Sequence, residues 1–405
     1  EIGQYNFDTI FEGVSNIEVD AAFGHISVST GIDQSTTLKS VINIDGKFRK
    51  HKGYYLYTYE KKGSHLKISF RAGSNINIVG RVVNLSGEFQ ITTPPGTTVN
   101  LRNTSGNITL KGLESKINTV ECNYGHVLVE NMSSLVNIID RSGQVTANNI
   151  QGGLNIQANY GHVQAKDIIG LVNIVSGSGQ INVSDVEGSC KLEARYGHVN
   201  INNVKGDVEI ASTSGNIKAK KINGKQCNMI SRYGHIDLKD IMASVDIESS
   251  SGNILLDEIE GDIKINGTYG KQHLKNLIGN VVTFSRSGDI SIYNLNGNLE
   301  LESIYGHVDL DECRGKIKII MSSGDLNGLK LDLVESLDIH SKYGNVRIQL
   351  ENSINDLSFE LNAPSGNLQI NKGDMKKTEK NSSLIIRHGK IMVKCYTANG
   401  SQIFI

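Results

Sequence analysis

A glycine recurs about every 18 residues through most of this chain, and serine and tyrosine precede it in turn. Between residues 105 and 344 most steps are 18 residues long, and a few are 19 or 20. The glycines of this array are Gly106, Gly125, Gly143, Gly161, Gly179, Gly197, Gly215, Gly234, Gly252, Gly270, Gly288, Gly306, Gly324 and Gly344. Such a fixed period predicts a repeat architecture, in which each unit contacts only its neighbours and the core grows lengthwise.

Within one period, apolar residues alternate in the way that β-strands require. Counting from Gly161, small or apolar side chains stand at +2, +4, +7, +11 and +13, and a second glycine, Gly170, stands at +9. Alternation with a period of two residues indicates strands, and no helical period is present. We therefore predict an all-β fold, a parallel β-helix or β-solenoid with about 18 residues per two-strand coil. The crossover rule favours right-handed coiling.

By the same parity, the serine or tyrosine before each glycine falls on the inward face or at the rim of the core. Strand layers are about 4.8 Å apart, so tyrosines in successive coils would crowd, whereas an intervening serine leaves room. We predict packing by alternating volumes, with a 36-residue pair of coils as the structural unit. Asp140 departs from this pattern, since Ala158 and Ser176 hold the equivalent positions. Either the strand slips there, or the carboxylate pairs at the core edge with Arg141 or a tyrosine.

The chain divides by pattern into three stretches of one continuous structural domain: N-terminal coils at 1–104, the regular solenoid at 105–350, and irregular coils with a cap at 351–405. Residues 32–72 predict an antiparallel meander inserted in the first stretch. Its Tyr54, Tyr55 and Tyr57, beside lysines, are candidates for a binding patch, and the alternative is a cap over the open end of the solenoid. Residues 371–383 predict a polar loop, and strands at 384–386 and 390–394 are expected to close the other end.

Composition excludes several classes of function. The net charge is −1, so nothing global steers the protein toward nucleic acid or an anionic membrane. Five cysteines without metal-ligand spacing predict free, buried thiols, with no zinc site and no disulfide framework. No apolar run is long enough to span a membrane. No signal peptide is visible at Glu1, and a mature secreted chain would have lost one. We expect no cofactor, and the sequence does not indicate an oligomeric state.

The residue after each glycine is predicted to point outward, and in most tyrosine coils it is a histidine. The candidate ligand-binding histidines are His126, His162, His198, His235 and His307. Successive histidines are two layers apart, about 9.6 Å, which is too far for two imidazoles to share a zinc ion. One interpretation is structural, with each ring bonding to corner carbonyls or stacking over a tyrosine. The other is a repetitive edge that binds a repetitive ligand such as a glycan.

Catalytic signatures are weak in this sequence. Asp309 and Asp311 share a face, as do Glu300 and Glu302, but their separation of roughly 7 Å is what any such pair on a strand gives. It therefore does not single out a glycosidase, although it falls within the range for inverting enzymes. No nucleophile elbow, P-loop or dinucleotide fingerprint is present in a suitable context. We predict no catalytic residues.

The corner motifs resemble those of a bacterial β-strand-repeat family named "putative adhesin". The similarity is carried by Ser-Gly-Asn-Ile at residues 105–108, 214–217 and 251–254, by Tyr-Gly-His-Val at 124–127 and 160–163, and by the turn Pro94-Pro95-Gly96. It covers most of residues 14–370. The resemblance implies a β-helical fold and a secreted or cell-envelope location. The expected function is a non-catalytic adhesin-like or structural rod with a glycan or another cell-surface ligand. Two alternatives stay open: a carbohydrate-binding or carbohydrate-active β-helix, and a scaffold whose open ladder end pairs with a protein.

Overall fold

A computed structural model of the protein describes residues 2–45, 55–72 and 84–405. Within these residues the structure consists of strands with one 3₁₀ helix, Ile354–Asp356, and no α-helix. The strands form a parallel β-solenoid with roughly 18 residues per turn, which confirms the predicted fold class. The chain forms two compact units, Glu1–Lys205 and Gly206–Ile405.

Within its described residues, the first unit is built from short strands, most of them six to eight residues long. They are β1 (Ile2–Glu12), β2 (Asn16–Ala21), β3 (His25–Thr30), β4 (Ser35–Asp45), β5 (Tyr55–Lys62), β6 (His65–Ala72), β7 (Asn84–Thr93), β8 (Thr98–Ser105), β9 (Ile108–Lys111), β10 (Ile117–Tyr124), β11 (Val127–Met132), β12 (Leu135–Ser142), β13 (Val145–Gln151), β14 (Leu154–Tyr160), β15 (Val163–Ile169), β16 (Val172–Ser178), β17 (Ile181–Glu187), β18 (Cys190–Tyr196) and β19 (Val199–Lys205).

The second unit continues the same pattern, but several of its strands run through the second corner of a coil without a break. They are β20 (Val208–Ser214), β21 (Ile217–Tyr233), β22 (Ile236–Ser251), β23 (Ile254–Glu260), β24 (Ile263–Tyr269), β25 (Gln272–Ile278), β26 (Val281–Ser287), β27 (Ile290–Asn296), β28 (Leu299–Tyr305), β29 (Val308–Ser323), β30 (Leu326–Tyr343), β31 (Val346–Leu350), β32 (Leu357–Lys372), β33 (Met375–Ile386), β34 (Ile391–Asn399) and β35 (Gln402–Phe404).

Each coil contributes one strand to each of two parallel ladders, and the core lies between them. In the first unit, β8, β10, β12, β14, β16 and β18 stack in one ladder, and β9, β11, β13, β15, β17 and β19 stack in the other. Equivalent residues lie in register, so Val145 pairs with Val163 and Val163 with Ile181. All three are fully buried. The predicted inward positions at +2, +4, +7, +11 and +13 are confirmed by their burial.

A left-handed residue at +6 explains why the inward positions change from even to odd numbering within a coil. Asp167 has φ of 55° and lies between the buried Ala165 and Ile168. One residue in this conformation bends the strand like a bulge, so the next side chain returns to the core. Asparagine and aspartate tolerate this conformation better than most residues. The column formed by these positions is Asn131, Asn149, Asp167, Asp185, Asn203, Lys221, Asp240, Glu258, Asn276, Asn294, Glu312 and Lys330.

The N-terminal end of the first unit is covered by antiparallel strands. β6 and β7 stack in parallel on β2 and β3, on the side opposite to β8 and β9. β5 pairs with β6 as a hairpin, whereas β4 pairs with β7 and with β1. The predicted strands around Leu38 and Leu66 are confirmed, but the topology differs from a simple meander because β4 and β5 are not paired. The predicted turn at Gly46 lies outside the described residues.

The C-terminal end of the second unit differs from the prediction in its strand order. β34 lies between β30 and β32, and β35 lies between β31 and β32. The predicted strand at 390–394 therefore belongs to an inner layer, and the expectation that it closes the end was wrong. Residues 384–386 belong to β33, which lies on the outer side of β32 as expected. Residues 371–383 were predicted as a loop, but most of them belong to β33, which pairs antiparallel with β32. Alternating lysines and polar residues suit an outer strand as well as a loop.

Candidate functional site

The corner glycines stack directly on one another, and this contact excludes any side chain at their positions. A Cβ on Gly161 would lie 1.6 Å from the carbonyl oxygen of Gly143, and the φ angle of Gly161 is +134°. The glycine N–H groups also link the layers, because Gly161 donates to the carbonyl of Ser178 at 3.0 Å. Glycine is required here both by its conformation and by the close approach of the next backbone.

Small residues fill the core beside each corner, three positions before the glycine. Ser212 and Ser231 each donate a hydrogen bond from Oγ to the carbonyl of their own corner glycine, at 3.2 and 3.1 Å. Ser285 and Thr397 make the same bond. Serine, alanine and threonine recur in this column, and Asn103, Asp140 and Met321 occupy it in other coils.

The tyrosines before the corner glycines are exposed, and the prediction that they pack at the core edge was wrong. Between 48% and 64% of each residue's surface is accessible to solvent. Parity alone would turn these rings inward, but the alternation of buried and exposed residues ends before the corner, since both Asn159 and Tyr160 are exposed. We call this set the tyrosine column: Tyr124, Tyr160 and Tyr196 in the first unit, and Tyr233, Tyr269, Tyr305 and Tyr343 in the second.

The predicted alternation of tyrosine and serine is present in the strand register. Tyr160 pairs with Ser142 on one side and with Ser178 on the other. Tyr269 likewise lies between Ser251 and Ser287. Successive rings are therefore two layers apart, about 9.6 Å. The pair of coils is therefore the repeating unit of this outer surface. It was predicted to be the packing unit of the core, and that part was wrong.

The candidate histidines are all exposed and lie beside the tyrosine column. The backbone N–H of Gln144 donates to Nδ1 of His126 at 3.1 Å, and the N–H of Asn253 donates to Nδ1 of His235 at 2.9 Å. His162 and His307 accept equivalent bonds from Gln180 and Asp325, and His198 holds the same position in its coil.

The structural interpretation predicted that each imidazole bonds to a corner carbonyl, and that partner was wrong. The imidazole instead accepts a hydrogen bond from a backbone amide of the next coil. An Nδ1 atom that accepts a hydrogen bond leaves the ring proton on Nε2. The exposed rings of these four histidines therefore offer an Nε2–H donor.

Asparagine and aspartate make the same bond in the serine coils. Oδ1 of Asn107 accepts from the N–H of His126 at 2.9 Å, and Oδ1 of Asn216 accepts from the N–H of His235 at 3.0 Å. Side chains at the residue after the glycine thus tie each corner to the next. Asn, Asp and His are interchangeable in this bond, since each offers an acceptor at a similar reach.

The tyrosine candidates in the N-terminal segment lie elsewhere. Tyr54 lies outside the described residues, and Tyr55 is the first residue of β5. The ring of Tyr57 contacts those of Phe7 and Phe89, at centroid distances of 4.9 and 6.0 Å. Its hydroxyl shares a hydrogen bond of 3.0 Å with Ser40, and burial raises the pKa of this phenol. Tyr57 thus belongs to an aromatic cluster that covers the end of the first unit, which favours the cap interpretation.

Asp140 is a buried carboxyl group without a hydrogen-bond partner. It pairs in register with Cys122 and Ala158, so the strand does not slip, and only 1% of its surface is accessible. Neither carboxyl oxygen has a partner, so the predicted pairing with Arg141 or a tyrosine is also wrong. Burial raises its pKa to about 7 and, with Asp140 nearby, raises that of the Cys122 thiol to about 12.

Carboxylates on the outer faces are engaged by neighbouring coils. Glu300 pairs with Lys318 at 2.6 Å, and Asp309 accepts from Asn327 at 3.1 Å. Lys271 pairs with Asp289 at 3.1 Å. The N–H of His307 and the Lys271 ammonium lower the pKa of Asp289.

Within residues 2–45, 55–72 and 84–405, no group of three or more His, Cys, Asp or Glu residues could hold a metal ion. The five cysteines are free and buried, as predicted. The described part of the chain includes no helix long and apolar enough to cross a lipid bilayer.

Three of the solved structures that match this chain are named for adhesion. A "putative cell adhesion protein" from Clostridium sporogenes is 8% identical, with 99% of each chain covered and a TM-score of 0.20. A "putative adhesin" from Bacteroides fragilis is 14% identical, covering 69% of this chain and 96% of that chain, with a TM-score of 0.21. A "putative adhesin" from Parabacteroides distasonis is 13% identical, covering 82% and 97%, with a TM-score of 0.19. Likeness at this level carries no argument about function.

The family assignment rests on the sequence itself. No curated protein matches the chain. The family model described as Toastrack DUF4097 matches residues 16–187, 167–270 and 258–400, which together cover nearly the whole length. The resemblance seen in the corner motifs is confirmed by these findings. The chain belongs to the Toastrack DUF4097 family.

Proposed function

We propose that this protein is a non-catalytic, adhesin-like module of the cell surface or extracellular space, which binds its ligand through the corner edge of the solenoid. The corner edge of each unit comprises its own tyrosines of the column and the residues that follow its corner glycines. The observation that carries the proposal is the exposure of every tyrosine in the column. Exposed apolar groups that are gathered on one edge often mark an interaction site.

The side chains of the corner edge are of the kinds that proteins use to bind partners. Tyrosine supplies a rigid contact area with a polar hydroxyl, and it is enriched where proteins bind partners. The histidines next to it add donors at the same two-layer spacing. Outer carboxylates such as Glu300 and Asp309 are held by neighbouring side chains, which supports a role in the surface rather than in catalysis.

The test compares the intact protein with two variants in binding to native cell surfaces and to immobilised polysaccharides. One variant carries Tyr160→Ser, Tyr196→Ser, Tyr269→Ser and Tyr305→Ser, which introduces the residue found in adjacent coils. The other carries His126→Asn, His162→Asn, His235→Asn and His307→Asn, which keeps the acceptor for the backbone amide. We expect the tyrosine variant to lose binding while its thermal unfolding stays close to that of the parent.

The second variant decides whether the histidines take part. Weaker binding by the asparagine variant would assign them to the ligand site, whereas unchanged binding would leave the tyrosines alone in that role. Equal binding by the parent and the tyrosine variant would contradict the proposal. Turnover of any polysaccharide by the parent protein would contradict its non-catalytic part.

A further inference from the structure

The tyrosine column of the second unit has a regular geometry. Tyr233, Tyr269, Tyr305 and Tyr343 are linked in register through the intervening Ser251, Ser287 and Ser323. The four rings span six strand layers, about 29 Å at the usual spacing. Their exposed fractions are 62%, 57%, 61% and 48%. A ligand along this edge therefore meets a ring at every second layer and a small hydroxyl between rings.

An extended β-1,4-linked polysaccharide repeats in the same way. Each sugar is turned by about half a rotation relative to the next, so the same ring face recurs at every second sugar. Its advance per sugar is close to that of a sheet per strand, about 4.8 Å. A sugar lying over each tyrosine would place the flipped sugar over each serine. The apolar faces of the first set of sugars would then contact aromatic rings, which offer rigid amphipathic surfaces.

The flanking polar residues suit a neutral, hydroxyl-rich ligand. The residues after the corner glycines of this unit include His235, Asn253, Lys271, Asp289 and His307. Both signs of charge are present, and Lys271 is paired with Asp289. Such an edge has no uniform positive field, which nucleic acids or anionic membranes would need. Planar amide, imidazole and carboxylate groups can instead bond to sugar hydroxyls.

We propose that the tyrosine column of the second unit is a binding platform for an extended β-1,4-linked polysaccharide that lies along the stacking direction, with every second sugar on a tyrosine. This inference rests on the proposed function, for which it names the class of ligand. Affinity should increase with chain length until all four rings are covered, which takes about seven sugars at one sugar per layer.

The experiment measures binding of cellohexaose, chitohexaose and maltohexaose by calorimetry to the full chain. We expect at least one of the two β-1,4-linked hexasaccharides to bind at least tenfold more tightly than both its own disaccharide and the α-linked maltohexaose. Tyr269→Ser with Tyr305→Ser should weaken that binding at least tenfold. Tyr293→Ser is the matched control, since this ring contacts His273 on the other ladder and should not affect affinity.

A second variant separates this platform from a general apolar surface. Ser287→Tyr fills the gap between Tyr269 and Tyr305, where the flipped sugar is expected. Our proposal predicts weaker binding by this variant, whereas stronger binding would contradict it. Failure of both β-1,4-linked hexasaccharides to bind would also overturn it, as would full affinity after the tyrosine substitutions. A dimer in sedimentation that Tyr269→Ser and Tyr305→Ser dissociate would assign the column to a second copy of the chain and overturn the platform.

The cell-surface assay distinguishes this inference from the proposed function. If the tyrosine substitutions abolish binding to cells while no β-1,4-linked glycan binds, the ligand class is wrong and the adhesin-like function stands. If the parent binds neither cells nor polysaccharides, both are wrong.

Discussion

Tyrosines occupy two contrasting places in the first unit, the corner column and the N-terminal cap. In the corner, Tyr160 has 64% of its surface exposed and lies between two serines. In the cap, Tyr57 is half-buried against Phe7 and Phe89, and its hydroxyl bonds to Ser40. The rings of the cap are buried against one another, whereas at the corner the glycine backbones of successive coils are in contact and the rings lie outside.

The difference shows that the burial of a tyrosine in this fold depends on the space that the backbone leaves, more than on strand parity. The cap also pairs its polar atoms, as Thr36 and Thr97 both bond to Thr93. The corner interior holds mostly small side chains, and Asp140 lies there without a partner. The cap therefore contributes stability, whereas the exposed rings of the corner are available for contacts with a ligand.

The largest effect is expected from Gly161→Ala, which would test whether the stacked backbone sets the corner. The new Cβ would overlap the Gly143 carbonyl, and alanine rarely adopts a φ of +134°. We expect a loss of about 4 kcal/mol or more in the free energy of unfolding, measured by denaturant titration. Gly63→Ala is the control, since its φ is +60° and nothing lies within 4 Å. It should cost only about 1 kcal/mol, and an equal cost at both sites would contradict the stacking argument.

A somewhat smaller effect is expected from the carboxyl group of the corner interior. The pKa of Asp140 rises from 3.8 to about 7 in the folded protein, so the folded state holds a proton that the unfolded state releases. The free energy of unfolding should therefore fall as pH rises from about 4 to about 7, by up to about 1.4 kcal/mol per pH unit. Asp140→Ser should remove this slope and stabilise the protein at pH 8, with little effect at pH 4.

The matched variant for this prediction is Ser176→Asp, which places a second carboxyl in the same column. It should destabilise the protein at pH 8 and less at pH 4. Thermal unfolding at both pH values measures each variant. A flat pH profile in the parent protein, or no gain from Asp140→Ser at pH 8, would contradict the assignment.

A moderate effect is expected from removing a tyrosine ring of the cap, and removal of a corner ring provides the comparison. Tyr57→Ala opens a cavity in the aromatic cluster and should cost about 3 kcal/mol. Tyr160→Ala removes an exposed ring and should cost less than about 0.5 kcal/mol. Chemical denaturation of both variants provides the measurement. Similar losses from the two substitutions would mean that the corner ring makes stabilising contacts after all.

The smallest effect is expected at the histidines beside the column. His126→Ala removes the acceptor for the N–H of Gln144 and should cost about 1 kcal/mol or less, because water can reach this exposed edge. His126→Asn should cost less still, since Asn107 makes the equivalent bond in its own coil. Thermal unfolding of the two variants gives the comparison. A larger loss from asparagine than from alanine would show that the acceptor bond is not what holds the corner.

Much of the fold could be predicted from the sequence because its causes are local and repeated. The glycine spacing gave the coil length, and period-2 alternation gave inward residues such as Val163 and Ile174, which are fully buried. The exposure of Tyr160 could not be predicted in this way, since strand parity places its ring on the inward face. Asparagine or aspartate stands at +6 in most coils, as at Asn149 and Asp167, and this sequence signal could have revealed the left-handed residues.

The exposed edge that carries the candidate histidines was predicted in position, but its hydrogen bonds were predicted only in part. The histidines were correctly expected at an exposed edge, but the direction of their backbone bonds depends on the register between coils. The unpaired state of Asp140 was not predictable either, because several partners lie near it in sequence. The layer order at the C-terminal end is set by long-range pairing, which local patterns do not encode.

That layer order constrains the sequence of events during synthesis. β32 and β33 leave the ribosome before β34 and β35, yet their final position lies beyond the layer that β34 and β35 form on β30 and β31. β32 must therefore remain without its final partners at first, or pair with another strand and later be displaced from it. The antiparallel partner β33 covers one side of β32 in the finished fold, and an early hairpin of the two would keep β32 occupied during this interval. The outermost layer of the second unit is thus completed only after a later part of the chain has inserted beneath it.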